Sequence, residues 1–141
     1  MRTLFFILAV TFASISFADN TIAVDFRCLT TNGNNPIQLE WRVFSEAESK
    51  WASSYVKYKN STQVIPLVLR SEEATEQPEG RPWEITSVWL EIFEGKISGE
   101  YEIITQGANI YGFLYTNLRN GKKTSFIQDN AAFDEAGCKW D

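Results

Sequence analysis

The sequence contains no histidine among its 141 residues. This absence excludes Ser-His-Asp and Cys-His nucleophile systems in their usual form, and it excludes every histidine-based zinc, copper or iron site. The chain also lacks a glycine-rich phosphate-binding loop. We therefore expect a protein that is not an enzyme, that has no catalytic residue, and that binds no cofactor and no metal.

Basic residues are scarce, since 13 lysines and arginines stand against 18 aspartates and glutamates. Affinity for nucleic acid and for anionic membrane surfaces comes largely from lysine and arginine on phosphate groups, so this balance argues against both partners. It favours either a basic protein partner or simply solubility.

No apolar run at the N-terminus is long enough to span a membrane, which takes about 20 residues. Residues 4–15 form an apolar stretch of 12 after a short positive start. Ser16-Phe17-Ala18 then has the small-x-small pattern that signal peptidase cleaves. We predict a cleaved signal peptide over residues 1–18, export to the periplasm or beyond, and no membrane span in the mature chain.

Cleavage would leave a mature chain of residues 19–141, with Asp19 at its N-terminus. Its 123 residues are too few for two ordinary domains, so we expect a single one. Without Arg2 the mature chain has 12 basic and 18 acidic residues, which gives a net charge of −6.

Period-two alternation of apolar and polar residues dominates the rest of the chain. Its clearest example is Ile37, Leu39, Trp41 and Val43, which alternate with polar neighbours. About eight such segments recur at short spacing, a pattern that predicts an all-β, antiparallel domain and favours an up-and-down barrel over a sandwich. The predicted strands cover residues 24–28, 37–43, 51–58, 63–69, 83–93, 97–105, 109–117 and 124–128.

Only two cysteines are present, Cys28 and Cys138, near the two ends of the mature chain. In an oxidising compartment such a pair predicts one disulfide. The bond would join the first strand to the tail and protect the seam of the barrel, where unpaired strand edges would otherwise promote aggregation.

Residues 71–82 break the alternation, because they are acidic, contain Pro78 and Pro82, and show no period. We predict that they form the longest loop of the domain. Long loops in compact domains are commonly functional, and prolines lower the cost of ordering them on binding. A solvated connector without function is the alternative interpretation. The predicted partner-binding residues are Glu72, Glu73, Glu76, Glu79 and Trp83.

One carboxylate pair has a spacing suited to glycosidase chemistry. Glu100 and Glu102 flank Tyr101 on a predicted strand. Alternate residues of a strand share a face about 7 Å apart, which is within the range of such enzymes. The same alternation predicts that both carboxylates face solvent, so we interpret them as an ordinary solvated strand face.

Aromatic residues make up 14% of the chain, enough for a sugar-stacking platform or a ligand-lined barrel. Trp41 fits the alternating core stripe, whereas Trp83 and Trp140 adjoin predicted loops and are expected to be more exposed. Asn60 begins an Asn-Ser-Thr glycosylation sequon in a predicted turn, which matters only if the organism glycosylates its exported proteins.

These observations favour an exported, non-catalytic binding protein. The leading hypothesis is a periplasmic inhibitor or immunity protein that blocks a cell-wall hydrolase or toxin, because such hydrolases are often basic and an acidic loop would attract them. The alternatives are a ligand-binding barrel for a small apolar or sugar ligand, and an accessory subunit of a secretion or surface structure. An enzyme with paired carboxylates ranks last.

Overall fold

The computed structural model describes residues 21–140, which form one nearly closed antiparallel sheet and a small two-stranded ribbon, with no α-helix in that range. The predicted signal peptide and the predicted N-terminus at Asp19 lie outside the described residues. No helix of the described part is long and apolar enough to cross a membrane. The elements are β1 (Ala23–Thr30), β2 (Gln38–Glu46), β3 (Trp51–Tyr58), β4 (Ile65–Thr75), β5 (Glu84–Phe93), β6 (Lys96–Gln106), β7 (Asn109–Asn117), β8 (Lys123–Ser125), β9 (Ile127–Gln128), a 3₁₀ turn (Asn130–Ala132), β10 (Phe133–Asp134) and β11 (Gly137–Cys138).

The sheet is an up-and-down meander that comes close to closing on itself. Strands β1 to β7 each pair with the next, β8 pairs with β7, and β9 pairs with β1. Only Phe126 separates β8 from β9, and its backbone N–H donates to the Phe113 carbonyl at 2.8 Å. The segment 123–128 therefore contacts both edges of the sheet. The prediction of an antiparallel barrel of about eight strands is confirmed, with the predicted eighth strand divided into β8 and β9.

The barrel interior is filled by alternate residues of the strands. Trp41 and Trp89 lie inside and donate their indole N–H groups to Ser54 Oγ and Ser87 Oγ, at 2.7 Å and 3.0 Å. Buried polar groups need such partners, so the two serines explain how indoles fit an apolar core. The buried core cluster consists of Leu29, Leu39, Trp41, Val56, Leu67, Trp89, Tyr101, Ile103, Phe113 and Phe126.

The prediction of a loop over residues 71–82 is wrong in its first part. Residues 71–75 continue β4 and pair with β5, and Glu72 lies opposite Ser87. The connection between β4 and β5 is therefore residues 76–83. Backbone pairing with β5 holds this stretch extended although its side chains carry no apolar alternation, because hydrogen bonding along the ladder does not depend on side-chain polarity.

Strand β4 pairs with β3 over only part of its length. Its ladder with β3 has only three residue pairs, which begin at Ile65 and end at Leu67. From Val68 to Thr75 the strand pairs only with β5, and every side chain in this stretch is exposed. The protein therefore presents an unpaired strand edge eight residues long.

The tail after β9 packs on the outside of β1 and β2. The predicted disulfide between Cys28 and Cys138 is present. The Cys138 backbone N–H donates to Glu40 Oε2 at 2.9 Å, and Phe133 stacks on Phe26 with ring centroids 4.9 Å apart. Gly137 permits this approach, because a Cβ atom at that position would lie 2.8 Å from Glu40 Oε2. The disulfide joins the first strand to the tail, as predicted.

Candidate functional site

The meander places its connections alternately at two ends of the barrel, and these ends carry opposite charge. We call the end formed by residues 47–50, 76–83 and 107–108, together with the start of β1, the acidic end. Its acidic residues are Asp25, Glu46, Glu48, Glu72, Glu73, Glu76, Glu79 and Glu84, and its basic residues are Arg27, Arg42, Lys50 and Arg81.

The opposite end is formed by residues 31–37, 59–64, 94–95 and 118–122, and we call it the basic end. Its basic residues are Lys57, Lys59, Lys96, Arg119, Lys122 and Lys123, and its acidic residues are Glu40, Glu91 and Glu94. An overall negative charge thus conceals a strong charge separation along the barrel axis.

The predicted partner-binding glutamates all lie at the acidic end, but they do not form one surface. Glu72 faces the barrel interior beside Ser87, whereas Glu73 lies on the outer face of β4, opposite Thr86. Glu76 and Glu79 belong to the connection between β4 and β5, and both are exposed.

Trp83 is the last residue of this connection and is 52% exposed, in line with its predicted position. Its neighbour Pro82 is fixed to β6, because Gln106 Nε2 donates to the Pro82 carbonyl at 3.0 Å. Trp140 differs from its prediction, since it is only partly exposed and its indole nitrogen is buried.

A small cavity of about 260 Å³ opens at the acidic end. Asp25 and Glu72 line its mouth, and Trp41 and Trp89 contribute to its wall. Arg27 also lines the cavity, where it pairs with Asp25. Carboxylates at such an opening suit a cationic side chain, which their charge attracts.

A larger open depression of about 670 Å³ lies at the basic end. It is lined by the ends of β5, β6 and β7 and by the turns that join them. Glu91 belongs to this lining and is only 5% exposed, since its side chain points into the barrel above Trp89. The rim carries Lys96 and Arg119.

The Glu91 carboxylate is surrounded by hydroxyl donors. Ser98 Oγ and the Tyr115 hydroxyl donate to Oε1 at 2.7 Å and 3.1 Å, and the Tyr101 hydroxyl donates to Oε2 at 3.1 Å. The hydroxyls of Tyr58 and Tyr101 are 2.8 Å apart. Because Tyr101 uses its single proton on Glu91, Tyr58 is the donor in that contact. The result is a relay of hydroxyl groups that ends on one buried carboxylate.

This environment keeps the tyrosines protonated. Burial raises the pKa of Tyr101 far above its usual value, and the neighbouring Tyr58 and Glu91 add to the effect. Burial, followed by the charge of Glu91, also raises the pKa of Tyr115. Burial also raises the pKa of Tyr58, and the charge of Glu91 adds to the shift. All three groups therefore act as neutral hydroxyl donors and not as bases.

Sequence reasoning missed Glu91 and examined Glu100 and Glu102 instead. Those two lie on the outer face of β6, as predicted, and Glu100 pairs with Arg70. Glu91 and Trp89 are two residues apart on β5, so both side chains lie on its interior face. Within residues 21–140 no cluster of potential ligands could hold a metal ion.

The chain was compared with protein-family models, with curated proteins and with solved structures, and none of them matches it. The function is therefore argued from the two ends of the barrel alone.

Proposed function

We propose that this is an exported, non-catalytic binding protein whose acidic end engages a basic protein, in the manner of a periplasmic inhibitor or immunity protein that blocks a cell-wall hydrolase or toxin. The observation that carries the proposal is the charge separation, with eight acidic and four basic residues at one end. The disulfide supports export, because such bonds persist in oxidising compartments.

The charge at this end would act mainly on the rate of association. A surface of one sign attracts a partner of opposite sign before contact and orients it. Glu73, on the outer face of β4, and Glu76 and Glu79, on the connection that follows it, are exposed and would meet the partner first.

The unpaired edge of β4 could bind the partner after the initial association. Unpaired backbone groups of an exposed strand can accept an extended segment of another protein as an additional strand. Val68 is 53% exposed and Leu69 is 36% exposed, so they supply apolar contacts beside the edge. Glu72 and Glu73 follow on the same strand after Arg70 and Ser71, and they would select a basic segment.

The barrel interior gives less support to the alternative of an enclosed small ligand. Its central layers are filled by buried side chains such as Tyr101, Ile103 and Phe113, each at most 1% exposed. Close packing of this kind leaves the two open ends as the places for contact with other molecules.

The test measures association with basic exported hydrolases, beginning with lysozyme, by surface plasmon resonance and by inhibition of cell-wall hydrolysis. We expect saturable binding whose association rate falls as ionic strength rises, since salt screens surface charge. Reversal of Glu72, Glu73, Glu76 and Glu79 to lysine should slow association by about tenfold or more.

A matched control reverses one exposed glutamate at the opposite end, Glu94, to lysine and is compared with reversal of Glu79 alone. Glu94→Lys should change the association rate far less than Glu79→Lys. Equal effects of the two variants, or binding to none of the basic hydrolases, would contradict the proposal.

A further inference from the structure

We propose that the depression at the basic end is a second binding site, which takes a short apolar peptide with free ends, its N-terminal ammonium on Glu91 and its C-terminal carboxylate toward Lys96 and Arg119. This site lies at the opposite end from the surface proposed above, so neither proposal depends on the other.

Glu91 carries a buried negative charge. Its carboxylate is buried, yet no lysine or arginine of residues 21–140 forms an ion pair with it. Its partners are three neutral hydroxyl groups. Attraction between charges is strong where water is excluded, so a buried carboxylate with neutral neighbours favours an incoming cation.

The Glu91 carboxylate can also accept a further hydrogen bond. An ionised carboxylate has about four acceptor positions. Oε1 accepts two hydrogen bonds from Ser98 and Tyr115, whereas Oε2 accepts one, from Tyr101. One position of Oε2 is left for another donor, and an ammonium group supplies it together with the missing positive charge.

The rim of the depression combines apolar and basic side chains. Phe93, Ile97 and Leu118 line the depression and are 47%, 53% and 50% exposed. Lys96 and Arg119 stand among them, and neither forms an ion pair with an acidic residue in the described range. Glu94 is the other acidic residue of the lining.

A ligand that matches this lining carries a positive group for the base, apolar side chains for the middle and a negative group for the rim. A short apolar peptide has these features in that order. The volume of about 670 Å³ lies within the usual range of small-molecule sites, which is roughly 300–1,000 Å³.

The experiment is isothermal titration calorimetry at neutral pH with the dipeptide Leu-Leu, its N-acetyl form and its C-terminal amide. We expect Leu-Leu to bind at least about tenfold more tightly than the N-acetyl form, which lacks the ammonium group, a loss of about 1.4 kcal/mol. The amide, which lacks the carboxylate, should bind more weakly than Leu-Leu by a smaller factor. Equal affinity for Leu-Leu and N-acetyl-Leu-Leu, or no heat of binding from Leu-Leu at millimolar concentration, would overturn the proposal.

Two variants test the residues themselves. The double substitution Lys96→Ala and Arg119→Ala lies on the exposed rim, so the barrel should fold normally. We expect it to weaken Leu-Leu to the affinity of the amide and to leave the amide unchanged. Lys50→Ala, at the acidic end, is the matched control and should change neither affinity. Weakening of both ligands to the same extent would overturn the assignment of the rim.

Glu91→Gln removes the negative charge and should abolish the preference for Leu-Leu over its N-acetyl form. Because this substitution also disturbs the hydroxyl cluster, its fold is verified first by circular dichroism. The comparison of peptide ends on the unaltered protein decides the proposal even if this variant fails to fold.

Discussion

At the scale of single residues, the protein balances the cost of a buried charge against several hydrogen bonds. Removing a carboxylate from water costs several kcal/mol. Each hydrogen bond to a charged group contributes about 1.5–3 kcal/mol. The three hydroxyl donors on Glu91 therefore roughly offset its burial, and none of them can be removed without a net loss.

Substitution of Tyr101 by phenylalanine tests this balance. The variant removes the donor to Glu91 Oε2 and the acceptor for Tyr58, while it keeps the ring in the core. We expect the free energy of unfolding to fall by about 1–3 kcal/mol, measured by urea denaturation. Tyr111→Phe is the control, because Tyr111 is 65% exposed, and it should change stability by less than about 0.5 kcal/mol. Equal stability of the two variants would show that the hydroxyl of Tyr101 does not matter.

The raised pKa of Tyr101 makes stability depend on pH at the alkaline end. Below the ordinary tyrosine pKa of 10.0 both the folded and the unfolded chain keep this proton, and the stabilisation is complete. Above it, the unfolded chain releases the proton while the folded chain retains it, so rising pH favours unfolding.

We expect Tyr101 to contribute a loss of up to about 1.4 kcal/mol per pH unit above that value. Urea denaturation across an alkaline pH series measures the slope. The slope should become shallower in Tyr101→Phe and stay the same in Tyr111→Phe. An unchanged slope in Tyr101→Phe would contradict the assignment.

At the scale of elements, the contact between β6 and β7 holds the hydroxyl cluster in place. Gly99 of β6 lies under the ring of Tyr115 of β7, and a Cβ atom at Gly99 would lie only 2.3 Å from Tyr115 Cε2. The structure shows that the ring Gly99 accommodates belongs to the residue that donates to Glu91.

Gly99→Ala should therefore displace Tyr115 and destabilise the fold by about 1–3 kcal/mol, the usual cost of overpacking. The double variant Gly99→Ala/Tyr115→Ala should be more stable than the sum of the two single effects predicts, because the second change removes the clash. Urea denaturation of all four proteins gives the coupling energy. Strict additivity would contradict the contact. Gly112→Ala is a milder control, since its neighbour is the flexible end of Ile104 at 3.2 Å.

The alternation of apolar and polar residues predicts some strands of this protein and not others. Strand β2 was predictable because Leu39 and Trp41 are buried while polar residues separate them. The end of β4 was not, because from Val68 onward both of its faces are exposed and no apolar period marks it as a strand. A bulge at Arg70 also shifts the register, which turns Glu72 and not Glu73 toward the interior.

The interior position of Glu91 could not be predicted from the sequence, for the opposite reason. Val88, Trp89 and Leu90 form a continuous apolar run in which Trp89 lies inside while Val88 and Leu90 lie outside. A continuous apolar run does not reveal which parity faces the core. Only the three-dimensional arrangement of the hydroxyl groups from two other strands, β6 and β7, shows that this carboxylate has partners inside the barrel.

At the scale of the whole molecule, topology turns a scattered set of charges into two distinct ends. A meander alternates its connections, so glutamates far apart in sequence, such as Glu48 and Glu79, meet at one end. The lysines of the other turns meet at the opposite end. Net charge alone gave no sign of this separation, although the strand order predicted from the sequence contains the information needed to derive it.

The closure of the molecule depends on two different constraints, which can be separated. Backbone pairing of the segment 123–128 with β7 and β1 closes the sheet. The Cys28–Cys138 disulfide closes the chain over a sequence separation of 110 residues but lies outside the barrel, on the tail. The barrel wall should therefore survive loss of the disulfide, whereas the tail should not stay docked.

We expect the variant Cys28→Ser/Cys138→Ser to retain the far-ultraviolet circular dichroism of the β sheet and to lose about 2–4 kcal/mol of unfolding free energy in urea. Limited proteolysis should cut the tail after residue 129 sooner than in the unaltered protein. Phe133→Ala is the matched control, because it removes the stacking on Phe26 but keeps the disulfide, and it should cost less. Collapse of the sheet signal in the serine variant would show that the barrel depends on the disulfide. An unchanged urea midpoint would show that the bond adds nothing to a chain already closed by its strands.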